Sequence, residues 1–128
     1  MTKIILNIVL VLVVIYIVPF VVYALATVVF CGASLVDLGG QNVMEPAAWG
    51  KAPLYGPHMD DFEDAVELLE PSGAGIRISD SYELIEKSLW LIQDAEARNR
   101  LGQRALEVAL SHAGAGRETA QAMMGLLQ

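Results

Sequence analysis

The sequence predicts a mixed α/β fold: a short parallel sheet with helices, preceded by an N-terminal hydrophobic helix of membrane type. Three observations carry this. Between Ile4 and Val36 the chain has no charged residue, whereas from Asp37 onward it has the mixed, acidic composition of a globular domain. Short apolar runs bounded by glycine, "ATVVFCG", "APLYG" and "GAGIRIS", read as buried strands. They alternate with stretches of helical periodicity, and that alternation implies βαβ units and hence a parallel sheet.

The first element is "IILNIVLVLVVIYIVPFVV", residues 4–22, which comes close to the roughly 20 apolar residues that span a bilayer as a helix. A membrane helix is the first reading. Lys3 and Ala24-Leu25-Ala26 also supply the positive start and small-x-small site of a signal peptide, although the apolar run is longer than usual for one. The density of Val and Ile keeps a buried strand plus core helix as a third reading. Pro19 kinks such a helix near its end without excluding it. Residues 1–23 are therefore assigned to the hydrophobic segment and 24–128 to the α/β part.

Beyond the first strand, Pro46 is expected to open a short helix that runs through Trp49 and closes at Gly50. From Asp60, Phe62, Ala65, Val66 and Leu69 recur at helical spacing, with Asp61, Glu63, Asp64 and Glu67 as a solvated opposite face rather than a metal site. Ser79 or Asp80 can cap a helix whose packed side carries Tyr82, Ile85, Leu89 and Ile92. Asp94 starts another, with Leu101, Ala105 and Val108 as its stripe. Gly114 and Gly116 are expected to break it before a last helix over 117–127.

Charge and cysteine count narrow the function. A net charge of −7 with scattered basic residues excludes a nucleic-acid surface, which needs clustered Lys and Arg. The single cysteine, Cys31, lies in an apolar run and reads as a buried thiol. His112 reads as a helix-end residue favoured by the dipole there, and Trp49 and Trp90 as packing residues. No metal or cofactor site and no catalytic residue is assigned.

The chemistry concentrates in "GGQNVMEPAAWGKAPLYGPHM", residues 39–59. Gly39 and Gly40 let backbone approach a ligand. Asn42 and Glu45 have capping-box spacing, but Pro46 disfavours the helical conformation at Glu45 and lacks an amide hydrogen, so Glu45 is expected free at a helix entrance. A carboxylate beside free helix-start amides suits hydroxyls next to a phosphate, as in a nucleotide. A purely structural turn remains the competing reading. In a parallel sheet ligands sit beyond the carboxyl ends of strands, and the loops 32–45 and 56–60 both leave such ends.

The run "YALATVVFCGASLVDLGGQNVMEPAAWGKAPLYGPHMDDF" resembles the C-terminal domain of the 3-deoxy-D-manno-octulosonic acid (Kdo) transferase family, whose pattern is close to "YALADVAFVGGSLVPLGGHNPLEPAAxGKPVxxGPHxxNF". The resemblance continues through "GAGIRISDSYELIEKSLWLIQDAEARNRLGQRA" towards the C-terminus. It implies a partial Rossmann-like fold, the C-terminal half-domain of a GT-B glycosyltransferase. It also implies a role in lipopolysaccharide lipid A–core biosynthesis at the cytoplasmic face of the inner membrane of a Gram-negative-type bacterium.

The resemblance further implies CMP-Kdo or CMP as ligand, contacted by Asn42, Val43, Met44 and Glu45. Ser34, Gly39 and Gly40 shape the pocket, and His58 of the "GPH" loop is a further candidate. Gln41 and Asp61 replace a histidine and an asparagine of the pattern, and the apolar "VIYIVPFVV" stands where the family carries a "D-T-x-G-E" loop. No stretch matches the acceptor-binding domain with its catalytic carboxylate. The expectation is therefore a truncated transferase-like part that meets a lipid A precursor only if that domain is supplied. The alternative is a membrane-anchored non-catalytic module or decayed gene fragment.

Overall fold

The computed structural model describes residues 1–127. Helices α1 (Thr2–Leu12) and α2 (Val18–Leu25) are joined through a π-helical turn, Val13–Ile17, into one apolar rod of 24 residues. The turn has a local cause. Pro19 has no amide hydrogen for the carbonyl four residues back, and its ring crowds that carbonyl. The backbone widens just ahead of it, with the Val18 amide donating to the Val13 carbonyl five residues earlier. No residue of either helix is buried.

Three short strands form a parallel sheet in the order β1 (Val29–Cys31), β2 (Pro53–Tyr55) and β3 (Ile76–Arg77). Register explains the two faces of the core. Phe30, Leu54 and Ile76 align in one row, and Cys31, Tyr55 and Arg77 in the next. Because successive strand side chains point to opposite faces, the first row packs with Ala52, Leu84, Leu91 and Leu101. The second row's Cys31 and Tyr55 pack with Val43, Ala47, Met59, Val66, Leu69 and Ala105.

The connecting helices follow the predicted order. α3 spans Met44–Ala48 and α4 spans Glu63–Leu69, the latter entered through a 3-10 turn at Asp60–Phe62. α5 (Ser81–Gln93) is capped by Asp80, whose Oδ1 accepts from the Glu83 amide at 2.9 Å, and α6 (Ala95–Leu126) by Asp94 in the same way from Ala97. Such caps contribute about 1 kcal/mol each. Glu83 reaches back one residue further than a capping box requires: its Oε2 accepts from both the amide and the hydroxyl of Ser79 at 2.7 Å. Those bonds hold its carboxyl below the ordinary range.

Three expectations are corrected. α3 starts at Met44, two residues before Pro46, because a proline at the third helical position loses no intrahelical bond: the first amides of a helix have no partner anyway. α5 turns Leu84 and Leu91 to the sheet and leaves Tyr82, Ile85, Leu89 and Ile92 exposed. α6 runs unbroken through Gly114 and Gly116, which have nothing within 4 Å of their Cβ positions, so His112 lies within the helix and not at its end.

Candidate functional site

The two loops that leave β1 and β2 are tied together at the carboxyl end of the sheet. Ser34 is the knot: its Oγ donates to the Cys31 carbonyl at 2.6 Å and accepts from the Gly56 amide at 2.9 Å. Its own carbonyl accepts from the His58 amide at 3.0 Å. Further on, the Asp61 amide donates to the Gly39 carbonyl at 3.1 Å. Gly56 must be glycine here, because a Cβ would collide with the backbone of Ser34 and Leu35.

Gly39 and Gly40 both have φ of +84°, a region that L side chains rarely adopt. Their other neighbour constrains them equally. A Cβ on Gly39 would strike the Asp61 carboxylate, and one on Gly40 would meet the Met59 sulfur. The glycines therefore serve a close approach of the two loops to each other.

Beside them a cavity of about 370 Å³ is lined by Gly40, Gln41, Asn42 and Glu45 on one side. Val29, Phe30, Cys31, Tyr23 and Phe62 close the other sides. Its volume falls in the range of small-ligand pockets. Glu45 is exposed at its rim but lies within the first turn of α3, so Pro46 does not hold it outside the helix as the sequence predicts. Asn42 is only partly available: its Oδ1 accepts from the Met44 amide at 3.0 Å. Gln41 carries the β1 end, its Oε1 accepting from the Gly32 amide at 2.9 Å.

The remaining site candidates divide by burial. Val43 is fully buried in the core and Met44 packs against it, and neither lines the cavity. Ser34 is likewise buried and committed to its three loop bonds. His58 sits outside the cavity lining, half-buried, with Nδ1 4.0 Å from Asp37 Oδ1. Sequence reasoning missed Gln41 and the β1 residues Val29, Phe30 and Cys31, as well as Tyr23 and Phe62 from elements flanking the motif.

No lysine or arginine lines this cavity. Cys31 at its floor is pushed up from 9.0 to about 11, first by burial and then by the Glu45 charge, and is a neutral thiol in ordinary buffers. A larger, open cavity of about 580 Å³ lies around Arg104 and His112 where α4 ends against α6. Its position after α4 and before β3 places it towards the amino end of the sheet, away from the loops that carry function in parallel folds.

Parallel strands with interleaved helices, and a groove where two carboxyl-end loops meet, define a partial Rossmann-like α/β unit of the kind that forms half of a GT-B glycosyltransferase. No protein-family model matches the chain. It is 35% identical over 101 residues to the 3-deoxy-D-manno-octulosonic acid transferase of Bordetella pertussis, which covers 79% of this chain and 24% of that protein. It is also 35% identical over 65 residues to the enzyme of the same name from Aquifex aeolicus (strain VF5), covering 51% of this chain and 18% of that protein. Among solved structures it matches the C-terminal CMP-Kdo binding domain of WaaA from Acinetobacter baumannii. That match has a TM-score of 0.64 and 29% identity over 67% of this chain and 45% of that one. The chain is thus similar in both sequence and fold to the C-terminal part of the Kdo transferases, and it spans less than a quarter of the length of these curated relatives.

Proposed function

We propose that this chain is the CMP-Kdo-binding part of a Kdo transferase of lipid A–core biosynthesis. The observation that carries the reading is the cavity itself: Glu45 and Asn42 edge a pocket of about 370 Å³ that runs beside β1 to the loop at its carboxyl end. This is where parallel folds bind nucleotides. The similarity to a solved CMP-Kdo binding domain supports the ligand. In this reading the Glu45 carboxylate accepts from sugar hydroxyls, and the backbone of residues 42–45 supports the nucleotide. Gly39, Gly40 and Ser34 hold the loop in shape. His58 stands on the rim.

Transfer of Kdo to a lipid A precursor belongs to the same proposal. General-base chemistry needs a carboxylate positioned across the cleft, so turnover is expected only when an acceptor-binding domain faces this groove. In this reading the apolar rod α1–α2, long and apolar enough to cross a membrane, anchors the domain at the inner membrane, with the α/β part on the cytoplasmic side where CMP-sugars are found.

The test is a calorimetric titration of the purified chain with CMP. Saturable binding is expected, and Glu45→Ala should weaken it about tenfold, the scale of one charge-assisted hydrogen bond. Absence of heat and of any thermal shift with CMP would turn the reading toward a non-binding module.

A further inference from the structure

Three metal-ligand side chains converge beside the glycine pair, outside the cavity lining. Asp37 comes from the loop after β1, and His58 and Asp60 from the loop after β2. One ligand atom from each lies within 4.8 Å of the other two. Asp60 opens the 3-10 turn that precedes α4.

Their convergence is built into the backbone. Met59, fully buried beneath Gly40, anchors the second loop, so His58 and Asp60 on either side of it face outward together. The His58 amide on the Ser34 carbonyl and the Asp61 amide on the Gly39 carbonyl, at 3.0 and 3.1 Å, pin that loop to the one that carries Asp37. A simple His–Asp ion pair explains the arrangement less well. The 4.0 Å separation of His58 Nδ1 and Asp37 Oδ1 is too long for a hydrogen bond, and it leaves Asp60 unaccounted for.

We propose that Asp37, His58 and Asp60 form a divalent transition-metal site on the rim of the groove. One imidazole and two carboxylates suit zinc or manganese better than calcium, which takes six to eight oxygens. Two carboxylates balance the charge of the ion. Ligand bonds of about 2.0–2.2 Å require the three atoms to close by roughly an ångström, within reach of side-chain rotation on exposed loops. Three protein ligands leave a position open for water or an anionic group. A cation here would supply the positive charge that the neighbouring pocket lacks. The site stands without the nucleotide reading.

The experiment is titration of MnCl2 into the full, untagged chain after EDTA treatment, with free Mn2+ read by electron paramagnetic resonance and ZnCl2 as competitor. One Mn2+ per chain is expected, displaced by zinc. The Asp37→Asn/Asp60→Asn pair and His58→Gln alone should each weaken binding at least tenfold, while Asp64→Asn, on α4, should not. Failure of the parent chain to bind one Mn2+ overturns the proposal. So does retention of binding in His58→Gln, provided its melt in EDTA matches the parent's.

Discussion

Cys31 shows how one residue reports on its surroundings. It ends β1, is buried in the core and lies near Glu45, and both effects disfavour its thiolate. The folded chain therefore holds this proton more tightly than the unfolded chain does. That contribution to stability is complete below about pH 9 and is lost as pH rises through about 11. The denaturation midpoint should fall between about pH 8 and pH 10.5, and Cys31→Ala should narrow the difference. Tyr55 shifts in the same direction, through burial and then its neighbour Glu70, so part of the decline will remain.

Also at this scale, Arg77 shows a function that no motif announced. It donates to Glu70, Glu63 and the Pro57 carbonyl, and lies 5.6 Å from the centroid of the Tyr55 ring. These bonds tie β3 to the start and end of α4. As the pairs are partly exposed, their worth is modest; their role is positional.

Among elements, α6 depends on one close crossing. Gly102 faces Gly50, the residue that closes the α3 turn, and a Cβ on Gly102 would collide with the Gly50 carbonyl oxygen. Since α3 carries Glu45, this crossing sets the height of the groove's rim. Gly102→Ala should cost about 1–3 kcal/mol in denaturant unfolding, because backbone must move to admit the methyl group. Gly114→Ala, with open space around it, should be neutral or stabilising by up to about 1 kcal/mol. The contrast explains why glycine was a poor guide to the end of this helix. Its cost within a helix is small enough for neighbouring turns to carry.

For the whole molecule, the apolar rod stands apart from the sheet. It meets the α/β part through Phe20, edge-on to Trp49 at 4.9 Å, and Tyr23, stacked on the same ring at 6.4 Å. It does not blanket the sheet, since none of its residues is buried. So much exposed apolar surface is stable only when lipid or protein covers it. In a flotation assay the full chain should rise with phospholipid vesicles, and a variant lacking residues 2–25 should stay behind. A full chain that stays behind would mean that the rod is covered by protein instead.

The sequence by itself determined the α/β class, the three strands and the helix start at Asp94. These depend on local chemistry: β-branched runs stopped by glycine, and carboxylates at helix starts. Tertiary structure alone decided which side of α5 faces inward, that Ser34 and the glycine pair join loop to loop, and that Asp37, His58 and Asp60 meet. Each of those depends on contacts between segments that periodicity cannot relate, because burial and convergence arise only when distant backbones are packed and hydrogen-bonded together.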